Sequence, residues 1–324
     1  MKRVNLWTPH PTDGTSFYRA WGVFNQIARN ENLPIIFEST NKGAWNDFMG
    51  YDLIFMHRPH DLSHVKYCQL AKRYTKIWMD WDDDILNIPT YNPTYNSYKG
   101  NSVVELVKLA DMVTTSTQPL LDSYNADGHV IENYIPLLEL KYNKPMRGDK
   151  FRIVWRGSNT HDMDWYTNIE DMSKFLNGKK DVEFVLIGDV HFTIEQRINQ
   201  FCGIRKIQGM DTSTYFEFLQ GNQVGDLLFV PLQENLFNKS KSDCAVLEGL
   251  VNGMISITPE WNNSDTYTYK GTHLVSVLNK AYNAWKNDYS SFSDEVVSQQ
   301  AKAKQRAKIN YQKRLDILKN ILSL

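Results

Sequence analysis

Cysteine is scarce in this chain of 324 residues, with three in all. Cys68, Cys202 and Cys244 stand far apart and form no C-x-x-C pair. That argues against a disulfide framework or a cysteine-rich zinc centre and fits a reducing compartment. An excess of one charge is also missing: 36 Lys and Arg against 37 Asp and Glu leave a formal net charge of −1. Such a balance gives no general drive towards nucleic acid or acidic lipid. No run approaches the roughly 18 apolar residues of a membrane span, and the opening MKRVNLWTPH has no long apolar core of a signal peptide. A cytoplasmic protein is expected, in the host cytoplasm if a phage encodes it. No internal repeat and no low-complexity segment stands out.

What is present is the composition of a soluble globular protein, 42% hydrophobic and 23% charged. The length exceeds one ordinary core, so two domains are expected. The 9 Trp and 17 Tyr suit sugar stacking and core packing equally well.

Short apolar runs alternate with helical patterns. RVNLW, PIIF, DLIFMH, KIWMDW, DMVTTS and HVIENYI read as strands, with YRAWGVFNQIARN, SHVKYCQLAKRY and PLLDSYN as helices between them. After the polar segment LKYNKPMRGDK the pattern restarts: FRIVWRGS, VEFVLIGD, IRKIQG, DLLFVPL and MISIT as strands, MDWYTNIEDMSKFL as a helix, and helix again from Ser293 to Leu324. This is an α/β protein with parallel sheets. In such sheets ligands bind at loops leaving the carboxyl ends of strands, which singles out the segments after RVNLW, DLIFMH, KIWMDW, FRIVW, VEFVLIG and DLLFVPL.

One of these, QENLFNKSKSDCAVLEGLVNG, is conspicuously polar. Ser240 with Asp243 three residues on has the form of a capping box opening a helix, and such a helix terminus favours an anion. On that helix Lys241 and Glu248, seven residues apart, would share a face about 10 Å from one another. Lys241 could meet a diphosphate and Glu248 ribose hydroxyls; a solvated amphipathic helix with a Lys–Glu pair is the plainer reading. Gly253 would end the helix.

The stretch PLQENLFNKSKSDCAVLEGLVNGMISIT resembles the nucleotide-sugar-binding helix of GT-B glycosyltransferases like those of glycosyltransferase family 4. Relatives there read P-L-x-x-N-x-F-N-x-x-K-S-x-x-K-x-L-E-x-x-x-x-G-x-P. Pro231, Leu232, Asn235, Phe237, Asn238, Lys241, Ser242, Leu247, Glu248 and Gly253 match. The resemblance implies that Glu248 holds the donor ribose and Lys241 the diphosphate. Ser240, eight residues before Glu248, stands where relatives have a second Glu.

Other segments carry the resemblance further. FRIVWRGSNTHDMDW is similar to the family's W-x-G-S-x-T-H-x-x-D-L at the start of the second domain. There Gly157 permits close backbone approach, Ser158 can donate a hydrogen bond and Arg156 can pair with phosphate, while His161 and Asp164 fix the loop. TPHPTDGTSFYRAW resembles a G-x-x-x-x-R loop, in which Gly14 could let the chain fold over the donor. FMHRPHD puts His57 and Arg58 at a strand mouth that in relatives faces the acceptor. WMDWDDDIL matches a D-x-D-D: Asp80 and Asp82 to Asp84 read as acceptor-side or structural carboxylates, one of them a possible base.

The implied fold is two Rossmann-like domains facing across a cleft, residues 1–145 and 146–295, with a C-terminal helix, 296–324, crossing back to the first. The implied activity is a hexosyl- or pentosyltransferase moving a sugar from a nucleotide-diphosphate donor, a UDP-sugar, with retention and without a metal. Asp82, Asp83, His57 and Arg58 would serve the reaction. Gly14, Arg156, Gly157, Ser158, Phe237, Asn238, Lys241, Ser242 and Glu248 would hold the donor. The acceptor would be a glycan or, as in phage chains of similar composition, a hydroxymethylated base of DNA; Lys302, Lys304, Arg306 and Lys308 form a basic stretch. Two alternatives remain: a non-catalytic nucleotide-sugar-binding protein of the same fold, and a metal-dependent transferase using Asp82 and Asp84.

Overall fold

The computed structural model describes residues 1–8, 13–39, 48–262 and 266–324. The chain divides into two compact units: residues 1–139, 239–242 and 306–324, and residues 140–238 and 243–305. The boundary thus falls at 139/140, and the terminal helix is shared between the units at 305/306. Each unit holds a six-stranded sheet.

In the first unit the elements are β1 (Lys2–Trp7), α1 (Gly14–Arg19), α2 (Trp21–Asn30), β2 (Ile35–Ser39), β3 (Leu53–His57), α3 (Leu62–Ala71) and β4 (Lys76–Trp81). They continue with α4 (Tyr95–Tyr98), α5 (Val103–Leu109), β5 (Met112–Thr115), α6 (Gln118–Ser123) and β6 (His129–Val130). Strand order is β2-β1-β3-β4-β5-β6, every pair parallel. The chain winds outward in both directions from β1 and β3, which makes the gap between their carboxyl ends the switch point where such sheets take ligands.

Strand β3 is buried along its whole length, the mark of a parallel strand covered on both faces. Phe24, Phe55 and Trp78 meet edge to face, each pair adding about 1 kcal/mol beyond the area it buries. Two expected elements differ. HVIENYI keeps only His129–Val130 as strand, because the Ile131 carbonyl accepts from Arg19 and the Glu132 N–H donates to Asn310. The first helix breaks at Ala20, where φ −125° and ψ −97° leave helical space.

The second unit runs β7 (Phe151–Gly157), α7 (Asp162–Leu176), β8 (Val182–Gly188), α8 (Phe192–Asn199), β9 (Gly203–Ile207) and α9 (Thr212–Gly221). There follow β10 (Leu227–Phe229), α10 (Leu236–Lys239), α11 (Cys244–Asn252), β11 (Ile255–Pro259), β12 (Tyr267–Tyr269), α12 (Leu274–Asn287) and α13 (Tyr289–Leu322). Residue Lys239 of α10 and the end of α13 group with the first unit. The order β12-β11-β10-β7-β8-β9 places the switch point between β7 and β10. Trp165 fills the centre, with Trp155, Phe184 and Phe229 around its ring. DLLFVPL yields a strand of only three residues, since Pro231 has no N–H for the ladder and the Leu232 N–H turns to the Tyr269 hydroxyl. The strand Tyr267–Tyr269 went unread, its three residues being too few to show a period. No helix among the described residues is long and apolar enough to cross a membrane.

At the other end of this sheet Asp226 is buried; it accepts from the Arg152 N–H at 2.8 Å and from Trp285 Nε1 at 3.1 Å. Burial pushes its carboxyl up to about 6, against the opposing pull of the Arg152 N–H. A folded-state value raised above the ordinary one, near 4, gives stability that is full below about pH 4 and lost as pH climbs through about 6. The shift of some two units corresponds to about 3 kcal/mol. Urea unfolding between pH 4 and 8 should therefore show a downward slope that Asp226→Asn removes; an unchanged slope in the variant would contradict the assignment.

Candidate functional site

In the second unit the loops at the switch point are tied by one carboxylate. Asp164, 5% exposed in the first turn of α7, takes His161 Nδ1 at 2.8 Å on one oxygen. Its other oxygen accepts from the Gln233 N–H at 2.8 Å and from Asn238 Nδ2 at 2.7 Å. The loop after β7 and the loop after β10 are thereby fixed to each other. Asn238, expected on the donor, donates its amide to Asp164 and to the Gln233 carbonyl, and Phe237, also expected there, is buried. Gly157 lies against Trp155 and His161, where a Cβ would collide with the indole. Its strand neighbour Gly188 has φ +95°, and a Cβ there would strike the Gly157 carbonyl. The two strand ends therefore present bare backbone. Ser158 is exposed, its hydroxyl 2.9 Å from that of Thr160.

Glu248 sits in α11, 5% exposed. Arg156 at the end of β7 forms an ion pair with it, Nη2 donating to Oε1 at 3.0 Å and Nε lying 2.7 Å from Oε2. The Tyr215 hydroxyl donates to Oε2 at 2.9 Å. Burial, and after it the negative charge of Glu248, holds that phenol well above its usual range, so it stays a donor. Tyr215 was missed because nothing around it in Asp211–Gly221 carries a motif; only α9 brings it to Glu248.

Lys241 is not on the helix of Glu248. Helix α11 begins at Cys244 with Asp243 in the capping position and no side-chain cap, so the expected box from Ser240 does not form. The segment Lys239–Ser242 belongs instead to the first unit. Thr117 donates to the Ser240 carbonyl at 2.8 Å, Asn133 to the Ser242 hydroxyl at 2.7 Å, and Lys241 Nζ lies 3.9 Å from Asp83. These partners hold Ser240 to Ser242 outside any helix, between α10 and α11. Gly253 does end α11, in the left-handed conformation at φ +81°.

In the first unit His57, Arg58, Asp82 and Asp83 come together at the ends of β3 and β4. His57 Nε2 is 3.0 Å from Asp82 Oδ1, and Arg58 pairs Asp82 through Nε and Nη2 and Asp83 through Nη2 at 2.6 Å. Arg58 takes φ +54°, unusual for a side chain with a Cβ and characteristic of strain held at working sites. Burial opposes ionisation of Asp82, yet the Arg58 charge and then His57 outweigh it and hold the carboxyl well below its usual range. Asp82 is a fixed anion and a poor base. Asp83 is more exposed, at 28%.

Asp80 is wholly buried, paired with Arg19 at 2.7 Å, and structural. Asp84 Oδ2 is shared among Asn87, Ser123 and Ser240. Among the described residues no group of three His, Cys, Asp or Glu could hold a metal ion. Gly14 opens α1, with Asp13 capping Ser16; the loop before it, residues 9–12, lies outside the described residues.

Solved structures share this architecture. HepE of Anabaena in complex with UDP superposes with a TM-score of 0.67 at 13% identity, over 99% of this chain and 100% of that one. The UDP-forming α,α-trehalose-phosphate synthase of Burkholderia vietnamiensis gives 0.64 at 8%, over 100% and 99%. A glycosyltransferase of Rickettsia africae gives 0.61 at 13%, over 99% and 98%. The fold is GT-B. At these identities the likeness is one of fold. No family model and no curated protein matches the sequence.

Within the GT-B second unit, the Arg156–Glu248 pair is largely shielded. Removing one member leaves the other charge uncompensated, at about 3 kcal/mol, whereas removing both is far milder. Thermal unfolding of Arg156→Met, Glu248→Met and the double variant should show the double close to wild type; equal and additive losses would mean that the pair is not coupled.

Proposed function

We propose that the protein transfers a sugar from a UDP-sugar to an acceptor hydroxyl. The observation that carries this is Glu248, a carboxylate held by Arg156 and Tyr215 at the switch point of the second unit, in a fold shared end to end with a protein solved with UDP. When a donor arrives, Arg156 turns to its diphosphate and Glu248 accepts the ribose hydroxyls in its place, with Tyr215 keeping the carboxylate in register. The backbone at Gly157 and Gly188, bare of side chains, lets the nucleotide approach closely. Charge develops on the departing diphosphate, so Arg156, Ser158 and the local N–H dipoles supply transition-state stabilisation there.

Residues of the first unit take the acceptor. Asp83 accepts its hydroxyl, and Asp82, His57 and Arg58 fix that carboxylate in position. Lys241, next to Asp83, contributes its charge on the same side. We read the reaction as retaining, in line with the family-4 resemblance, and as independent of a metal. A metal-dependent route would need Asp82 and Asp84 to converge, yet Asp82 faces His57 and Arg58 while Asp84 faces Asn87 and Ser123. A sensor without turnover would bind donor equally well, so turnover is the discriminating measurement.

Calorimetry should show UDP binding, weakened about 10- to 100-fold by Glu248→Gln, and little difference between UDP and 2′,3′-dideoxy-UDP in that variant. Mass spectrometry after incubation with UDP-sugars and candidate acceptors should show transfer. Absence of UDP binding at millimolar concentration would end the proposal, and binding without transfer or hydrolysis would favour the sensor.

A further inference from the structure

Between β4 and α5 the chain runs from Asp82 to Ser102 with only a 3-10 turn, Ile85–Asn87, and the four-residue α4 as helical structure. Connections of this length within a compact domain are usually functional. This one leaves the carboxyl end of a parallel strand, the side on which such sheets take ligands. Its sequence holds a short repeat, which corrects the expectation that the chain has no internal repeat. Pro-Thr-Tyr-Asn occurs twice in tandem, at 89–92 and 93–96, followed by Ser97 and Tyr98.

The two copies do different things. In the first, Asn92 is buried, and its Oδ1 accepts from the Thr94 N–H at 3.0 Å and the Thr94 hydroxyl at 2.8 Å, which tightens the turn. In the second, Asn96 is exposed on α4. Tyr91 is 43% exposed, and Tyr95 and Tyr98 are half-buried. Tyr98 anchors the loop: its ring packs edge-on against His60 at 4.7 Å. Burial lifts its phenol, and the nearby Arg58 charge opposes that lift. The Ser102 N–H donates to the His60 carbonyl at 2.6 Å, and His60 Nδ1 lies 3.0 Å from the Arg58 carbonyl. The loop is therefore fastened to the arginine that grips Asp82 and Asp83.

The charge of this surface decides what it fits. From Ile85 to Asn101 the one charged residue is Lys99, and three aspartates, Asp82 to Asp84, precede it. A DNA backbone needs several cations to displace its counterions, and this loop offers one. Tyrosine rings instead give flat, rigid, amphipathic contact area at low entropic cost, and Asn and Ser give adaptable hydrogen bonds. The apolar C–H faces of pyranose rings stack on the first, and sugar hydroxyls pair with the second and with Asp83.

We propose that the Tyr-Asn loop, through Tyr91, Tyr95 and Asn96, is an acceptor site for a neutral carbohydrate chain and not for DNA. The assignment of this ligand as the acceptor rests on the glycosyltransferase reading, whereas the carbohydrate binding itself can be measured apart from it. The full-length protein is applied to an array of neutral oligosaccharides and, separately, to a duplex containing 5-hydroxymethylcytosine in a gel-shift assay. The wild type should be retained on neutral oligosaccharides. Retention should fall at least tenfold in Tyr91→Ala/Tyr95→Ala and survive in Tyr91→Phe/Tyr95→Phe, which keeps the rings. The duplex should not shift. Unchanged UDP affinity and melting temperature in the Ala pair show that the loop was altered without loss of the fold. Undiminished retention in the Ala pair, no retention of any neutral oligosaccharide by the wild type, or a duplex shift that the Ala pair abolishes would each overturn the proposal. If UDP fails to bind the wild type, the glycosyltransferase reading falls, and the array result still decides whether the loop binds carbohydrate.

Discussion

Glu248 is a carboxylate almost withdrawn from water, and such a group is tolerable only with donors on both oxygens. Arg156 and Tyr215 provide them. Satisfying it recruits the end of β7 and the first half of α9, two segments remote in sequence that meet only because the sheet winds outward from its centre. A single electrostatic requirement thus fixes the geometry of the candidate donor site. Arginine suits this place because its planar fork can pair with a carboxylate and equally with a diphosphate.

The first unit obeys the same logic with the signs exchanged. Two carboxylates, Asp82 and Asp83, surround one guanidinium at the ends of adjacent strands, and His57 completes the arrangement from a fully buried position. Arg58 pairs with both from a left-handed backbone, and Asp83 is the more exposed of the two carboxylates. Asp164 plays the corresponding part in the second unit: a buried anion that secures two loops by their donors without itself facing a substrate.

The second unit's site stands where its sheet reverses its winding, and the first unit's cluster stands at the carboxyl ends of β3 and β4, next to that sheet's reversal; both placements follow from topology before any chemistry is added. Fold alone does not assign a reaction. The functional reading comes from particular groups at those points, namely a ribose-sized carboxylate, a phosphate-sized fork, bare glycine backbone, and a neutral tyrosine-asparagine loop on the other unit.

From local pattern alone came the α/β class of the protein and the places of most of its strands, while their order and register came from the fold. Alternating apolar runs and helical periods are local signals, and β1, β3, β4, β7, β8 and β11 stand where those runs predicted. The sequence also marked Glu248, Arg156, Gly157 and the Arg58–Asp83 neighbourhood, because strand ends announce themselves where an apolar run meets a polar one. Tertiary structure decided the rest. Lys241 left the helix expected for it since Thr117 and Asn133, more than a hundred residues earlier, claim the backbone and hydroxyls beside it. Tyr215 joined Glu248 through a contact that no spacing encodes. Asn238 is tied to Asp164, Phe237 is buried, and Asp82 is held ionised by Arg58 and His57, contacts that only the fold supplies. Periodicity reports which face of an element is apolar, whereas the partner of a buried charge is chosen by whatever distant segment the fold brings within 3 Å.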